Sequence, residues 1–392
     1  MNILFLLKTL DLGGVEIVSA TLANYFCTKG HKVVVFAFEE GNGSALNYFK
    51  NAKIEIGFGY SYNKKNLLKL NELINNAQIQ IVINQWGLPF LPINILCRLN
   101  NRGSFRIIST HHNIPSSNGL LKNVEMAFAH KKGILNKCYL KCKWLIFKMI
   151  TSCSMRYVYN HSDKYMVLSP SYIEHFKKFT GIKNPTKLLV QTNPVTIDTS
   201  GFTFNPANKQ KEIIYVGRID YNQKRVYRVI DTWALLENRF PDWRLIIVGD
   251  GPERVNIETQ VREKGLKHVS FEGFQHPIEY YKRASLLMLT SEYEGFPLVL
   301  AECMSFGVVP AVYGSYSAVY DIIENGKNGI ILPADKVRGF DAAMMAERMA
   351  AIMESPETLQ TLAIQAMKKS KEYSLDKIAK QWEEVMGEIS QK

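Results

Sequence analysis

The chain has 392 residues, 46% of them hydrophobic, and a formal net charge of +12; this is too long for one compact core and divides best into two domains of roughly 180 residues. The opening Met1–Lys8 lacks the basic start and the apolar length of a signal peptide, and no later stretch approaches about 20 uncharged apolar residues, so neither export by such a signal nor a membrane span is expected. Six scattered cysteines have no paired spacing for a disulfide framework or a four-ligand zinc site, which points to a reducing, cytoplasmic setting.

Short apolar runs alternate with amphipathic stretches from the first residues onward. Ile3–Leu7 predicts a buried parallel strand, Val15–Thr28 a helix, and Lys32–Phe38, Ile79–Ile83 and Arg106–Ser109 further strands. Between the first strand and first helix stands Leu10-Asp11-Leu12-Gly13-Gly14-Val15-Glu16, a glycine turn whose N–H groups, Gly14 among them, can face a phosphate at a helix start. It is not GxGxxG, so the dinucleotide-binding fingerprint is missing where a nicotinamide-dependent enzyme carries it. Ser109-Thr110-His111-His112-Asn113 follows the last of these strands and offers a histidine at a strand end. Cys138 and Cys142, four apart on one helix face, are expected as buried small apolar residues rather than metal ligands.

Gln191–Pro194 and the polar stretch Thr196–Lys211 lack periodicity and are expected to connect the domains, with the boundary near residue 195. A second βαβ cycle then opens with a strand at Glu212–Val216, a helix near Val226–Asn238, strands at Arg244–Val248 and Leu286–Leu289, and a helix near Leu298–Phe306. Gly217-Arg218-Ile219-Asp220 ends the first of these strands and Lys224 comes after it, a pair of cations where ligands of open α/β sheets bind, suited to a diphosphate. A solvated Lys/Arg loop is the bland alternative. Thr290–Glu302 carries Glu294 in a Gly/Pro turn and Glu302 within an otherwise apolar helix, seven residues between them. Such carboxylates accept hydrogen bonds from sugar or ribose hydroxyls, and the N–H groups of Gly295, Phe296, Pro297's neighbours and Leu298 can hold a phosphate or sugar. Helix-start acids explain Glu294 but not Glu302. After Ser374, Leu375–Ile389 forms an amphipathic helix expected to pack back on the first domain.

Taken together, the glycine turn, the Gly-Arg…Lys loop, Val248-Gly249-Asp250-Gly251-Pro252-Glu253 and the Glu-x7-Glu segment resemble, in this order, retaining glycosyltransferase family 4 (glycosyl transferases group 1). The resemblance implies an α/β, GT-B fold: two Rossmann-like doubly wound domains facing across a cleft. It assigns acceptor binding to residues 1–195, nucleotide-sugar binding to 196–373 and a closing helix to 374–392. By motif, Arg218 and Lys224 neutralise the donor diphosphate, Glu302 holds the ribose, Glu294 approaches the donor sugar, and His112, with His111 as the alternative, contacts it. Gly14, Gly217, Gly295, Phe296, Pro297 and Leu298 complete the donor site. Catalysis is expected without a metal or other cofactor, with retention by same-face attack and the leaving phosphate helping to take the acceptor proton. The family frequently uses UDP-sugars and builds bacterial surface polysaccharides such as lipopolysaccharide or capsule. This chain departs from the pattern at Arg225, where a glycine is common, at Cys303 for alanine, and at Asp321 for glutamate.

Charge adds a partner to this picture, because residues 1–200 hold 24 Lys+Arg against 10 Asp+Glu, a balance of +14, while residues 201–392 hold 24 against 26. Lys131, Lys132, Lys137, Lys141, Lys143 and Lys148 interleave with Leu135, Tyr139, Trp144, Leu145, Ile146 and Phe147, a composition suited to a helix or helical hairpin on an anionic membrane, within reach of a lipid-linked acceptor. Because these apolar residues make no clean stripe, an ordinary basic surface helix is the alternative. Nucleic acid is not expected, since no recognised binding module is present. Two other readings of the whole chain remain: a UDP-sugar epimerase of the same fold, and a non-catalytic partner subunit, against which the presence of Arg218, Lys224, Glu294 and Glu302 argues.

Overall fold

The structure is a computed structural model that describes residues 1–100, 103–130, 133–335 and 337–391. Chain contacts divide it into two units, one of Met1–Asn193 with Leu375–Lys392 and one of Pro194–Ser374.

Unit 1 runs β1 (Asn2–Leu7), α1 (Gly14–Thr28), β2 (Lys32–Ala37), β3 (Lys53–Ile56), α2 (Lys64–Asn76), β4 (Ile81–Asn84), α3 (Phe90–Leu99), β5 (Arg106–His111), α4 (Gly119–His130), α5 (Ile134–Asn160), β6 (Lys164–Val167), α6 (Tyr172–Thr180) and β7 (Leu188–Val190). Its seven strands lie in the order β3-β2-β1-β4-β5-β6-β7. Every pairing is parallel. Helices on both faces bury both sides of the central strands, which is why Ile3–Leu7 and Ile81–Ile83 are unbroken apolar runs, at most 1% exposed.

Unit 2 runs β8 (Gln210–Val216), α7 (Tyr227–Leu236), β9 (Arg244–Val248), α8 (Arg254–Glu263), β10 (Val269–Gly273), α9 (Ile278–Arg283), β11 (Ala284–Leu289), α10 (Leu298–Ser305), β12 (Val309–Gly314), α11 (Ala318–Ile322), β13 (Ile330–Pro333), α12 (Ala342–Met353) and α13 (Pro356–Ser370). Its six parallel strands are ordered β10-β9-β8-β11-β12-β13. Trp233 on α7 and Met345 and Met349 on α12 fill one side of this sheet.

The last helix, α14 (Leu375–Ser390), belongs to unit 1. Ile378, Trp382, Met386 and Ile389 are its buried stripe. Glu383 bonds His31 at 3.1 Å and Glu388 pairs with Lys164 at 3.0 Å, fixing its register.

Two expectations are corrected. The polar stretch 196–211 is not a free connection: Val195 N donates to Tyr373 O at 2.7 Å, Thr196 bonds Glu302, the Phe202 ring lies 4.7 Å from Phe306, and Gln210–Lys211 already belong to β8. Its bonding partners are far away in sequence, so periodicity could not reveal them. Cys138 and Cys142 are exposed, because they occupy the outward side of α5. As expected, the apolar residues of that helix make no single stripe; they fall on two faces, one buried and one exposed. Lys131 and Lys132 lie outside the described residues.

Candidate active site

In open parallel sheets a crevice for ligands opens beyond the strand carboxyl ends where the winding reverses. In unit 2 the reversal lies between β8 and β11, and the segments leaving these strands are 217–224 and 290–297. Both carry residues singled out in the sequence.

The first segment is strapped down by its neighbour. Gly217 N donates to Val248 O at 3.0 Å and Ile219 N to Asp250 O at 2.9 Å. Gly249 makes this approach possible: its φ is +147°, and an added Cβ would collide with the carbonyl oxygen of Gly217. The Val248–Glu253 motif thus holds the loop through its backbone.

Asp220, buried, organises the remainder of the turn. Its Oδ1 accepts from Gln223 N at 2.7 Å and Lys224 N at 3.2 Å, and its Oδ2 accepts from Arg218 Nε at 3.0 Å. The Arg218 side chain is 65% exposed, so its guanidinium is held at one edge and open at the other. Arg225 closes the turn with φ +55°, a left-handed conformation that explains why glycine suits this position. Its guanidinium stacks on Tyr221, 4.9 Å from the ring centre.

Lys224 and Glu294 meet directly. Lys224 Nζ donates to Glu294 Oε1 at 2.6 Å, while Ser291 Oγ donates to the same oxygen at 2.9 Å and Gln223 Nε2 to Oε2 at 3.1 Å. Both side chains of the pair are largely buried. A further donation, Glu292 N to Gln223 O at 2.7 Å, ties the two segments backbone to backbone. Arg228, a buried cation on α7, donates to Thr290 O at 3.1 Å and to Glu292 Oε2 at 2.8 Å, bracing the same turn. Asp220, Gln223, Ser291 and Arg228 were not singled out in the sequence. Asp220 was signalled as an Asp heading a turn, where its carboxylate can accept from N–H groups a few residues on, whereas Arg228, on a helix that also carries Asp231, gave no such signal.

After Glu294, Phe296 and Pro297 are buried and Gly295 and Leu298 half-buried. Phe296 packs edge-on against Tyr373 at 5.3 Å, and α10 starts with no side-chain cap, leaving its amino end to the site. Glu302, one helical turn and more into α10, accepts from Thr196 Oγ1 at 2.5 Å and from Tyr281 OH at 3.4 Å. Burial raises its carboxyl above the usual range, and those two donors partly offset the rise. Two oxygens with about four lone-pair sites retain capacity for more donors.

Gly14 and His112 lie in unit 1, Gly14 at the start of α1 after β1 and His112 after β5, one strand beyond the reversal between β1 and β4. Gly14 is the first residue of α1, exposed, behind an N-cap glycine with no side-chain cap. Glu16 in that first turn is buried and pushed up to about 7, first by burial and then by the nearby charge of Asp11, against a backbone hydrogen bond that lowers it. His112 Nε2 bonds Gln85 Oε1 at 2.6 Å. An amide oxygen only accepts, so Nε2 carries the proton and Nδ1 is left as an acceptor. Burial, then the neighbouring His111, lowers His112 to about 3, and burial lowers His111 to about 4. Both rings are neutral at pH 7, contacts rather than charges. Gln85 Nε2, Trp86 Nε1 and His111 Nε2 are buried polar atoms with no partner in unit 1. Among the described residues, no three His, Cys, Asp or Glu side chains gather as a metal-ligand set.

Two doubly wound parallel sheets in tandem, the second with cations and carboxylates at its reversal point, define a GT-B glycosyltransferase architecture. Solved structures share it: the Anabaena protein HepE in complex with UDP superposes with a TM-score of 0.76 at 16% identity, over 99% of this chain and all of that one. The lipopolysaccharide outer core galactosyltransferase WaaB gives 0.69 at 20% identity over 99% of each chain. Family models match in tandem, Glycosyltransferase Family 4 over residues 12–199 and Glycosyl transferases group 1 over residues 197–369, and the chain belongs to this family of glycosyltransferases. Among named relatives, a PP-undecaprenol-glycan alpha-1,4-N-acetyl-D-galactosaminyltransferase of Campylobacter jejuni is 25% identical over 99% of both chains.

Proposed function

We propose that the chain is a retaining glycosyltransferase that moves a hexose or N-acetylhexosamine from a UDP-sugar to a glycan or lipid-linked acceptor in the bacterial cytoplasm, for surface polysaccharide. The observation that carries the reading is the meeting of Lys224 and Glu294 at the unit 2 reversal point, beside the open edge of Arg218. The named Campylobacter relative acts on a lipid-linked glycan and the Anabaena structure holds UDP, which supports the donor and acceptor classes.

In this account Arg218, Lys224 and the amino end of α10 balance the charge that builds on the departing diphosphate, so no metal is required. Once the donor is seated, Lys224 shares its charge between the diphosphate and Glu294, and Glu294 turns an oxygen to the sugar hydroxyls. Glu302 accepts from the ribose. The acceptor oxygen attacks the anomeric carbon on the face the diphosphate leaves, the glycosidic bond forms as the carbon–phosphate-oxygen bond breaks, and the acceptor proton passes to the leaving phosphate. By the resemblance, residues 1–195 bind the acceptor and the neutral His112 contacts a hydroxyl of the donor sugar.

Incubation with a panel of UDP- and GDP-sugars, glycan acceptors and EDTA, followed by NMR of the product, tests this. Release of UDP with an α-linked product from an α-donor is expected. Donor isomerised without transfer identifies an epimerase instead, and consumption of GDP-sugars alone overturns the base assignment.

A further inference from the structure

Helix α5 has two apolar faces. At about 100° per residue, Leu140, Thr151, Met155 and Val158 fall on one side and are buried, as is Tyr159 beside them, and the helix packs against α3, α4 and α6. The opposite side presents Ile134, Leu135, Leu145, Ile146, Met149 and Ile150, each 51% to 86% exposed. Tyr139 joins them at 64%. Over residues 134–150 this makes a continuous crest about 25 Å long, from 1.5 Å of rise per residue. Isolated exposed apolar side chains are ordinary, but a crest of this length on one helix marks an interaction surface.

Its edges are cationic. By the same helical geometry Lys143 borders the crest on one side and Lys137, Lys141 and Lys148 on the other, and residues 134–160 contain no Asp or Glu. The ammonium groups are steadied along the flanks: Lys148 lies 5.2 Å over the Trp144 ring, and Trp144 Nε1 donates to Glu125 of α4 at 3.2 Å. Two apolar faces on opposite sides cancel in any one-stripe test, so the sequence pattern hid the crest.

We infer that α5 seats the protein on an anionic lipid bilayer, lying in the plane of the interface with its aliphatic crest among the acyl chains and its lysines reaching the headgroups. An aliphatic strip edged by cations matches hydrocarbon beneath a negative layer. A second copy of the chain would bring the same lysine rows against one another, and a nucleic acid would find charge but few exposed aromatic faces for its bases. Among the described residues no helix is long and apolar enough to cross a membrane, so the contact is with one surface.

Flotation of the full chain with phosphatidylcholine vesicles, with and without phosphatidylglycerol, tests this. Binding is expected to the anionic vesicles alone and to weaken with added salt. The pair Ile146→Glu and Met149→Glu is expected to lower the partition coefficient at least about tenfold, since two buried side chains are lost from the acyl layer. Because both are exposed, thermal melting and UDP binding are expected to stay at wild-type values, which separates failure here from failure of the donor site. Lys141→Glu with Lys143→Glu is expected to reduce binding by roughly fivefold or more per residue. The inference is overturned if wild type ignores phosphatidylglycerol, if the folded double glutamate variant floats like wild type, or if the crest proves to be a dimer contact by sedimentation.

Discussion

The two reversal points are built on one plan and charged in opposite ways. In unit 2 the segments after β8 and β11 hold full charges, Arg218 on Asp220 and Lys224 on Glu294. Around the unit 1 point, burial suppresses charge: His111 and His112 stay neutral, and Glu16 holds its proton up to about 7. A diphosphate needs cations that are already oriented, whereas sugar hydroxyls are matched by neutral donors and acceptors. Arg218 apart, the side chains at both points are largely buried, so the difference lies in pairing: a buried charge with an opposite partner is kept, and a buried group without one goes neutral.

The strongest way to break this contrast is to remove the charge from Glu294. Glu294→Gln keeps an acceptor oxygen but frees Lys224 of its anion, so transfer is expected to fall on the order of a hundredfold while UDP affinity holds or tightens. Steady-state kinetics beside UDP titration check this; equal losses in both would mean that Glu294 only shapes the loop.

On the unit 1 side, Glu16 makes a pH signature. An unfolded glutamate loses its proton near the ordinary 4.5, whereas the folded one keeps it to about 7. Between these values the folded chain binds the extra proton, so stability falls as pH rises, by about 3 kcal/mol over the window. Denaturant melts of Glu16→Gln from pH 4.5 to 8 are expected to lack this decline. A variant curve parallel to wild type would place the carboxylate in water.

Asp220→Ala sharpens the comparison from within unit 2. It removes the acceptor for Gln223 N, Lys224 N and Arg218 Nε, which is expected to cost about 1–2 kcal/mol and to weaken UDP binding through a disordered loop. Urea melts and UDP titration measure both. The smallest effect is at Arg225, where Arg225→Gly relieves the left-handed φ but loses the stack on Tyr221, leaving a change within about 1 kcal/mol. A loss well beyond that would give Arg225 a role in holding the turn.

How far the sequence carried depended on what each element had around it. Central strands buried on both faces were legible as apolar runs: Arg244–Val248 has the same limits in sequence and structure, and β1 differs by one residue. Edge strands were not. β3 begins with a lysine and alternates, and β10 is half-buried; the interior strand β12 escaped for another reason, since it carries Pro310, which argues against a strand. At the site, Arg218, Lys224, Glu294 and Glu302 stood out as charges in strand-end turns or on an apolar helix. Their partners did not, because Ser291, Gln223 and Thr196 are ordinary polar residues until the fold brings them within 3.1 Å of a carboxylate. The two faces of α5 escaped for the opposite reason, since too much of that helix is apolar for a single stripe to emerge.

Calorimetric titration of UDP, GDP and NAD into wild type and Arg218→Ala, with EDTA present, tests the central claim most directly. The account predicts UDP binding by wild type without metal, weakened about tenfold or more in the variant, as expected for a lost charge-assisted contact. Equal UDP affinity in the two proteins, or tight binding of NAD instead, would contradict the donor site at the unit 2 reversal point.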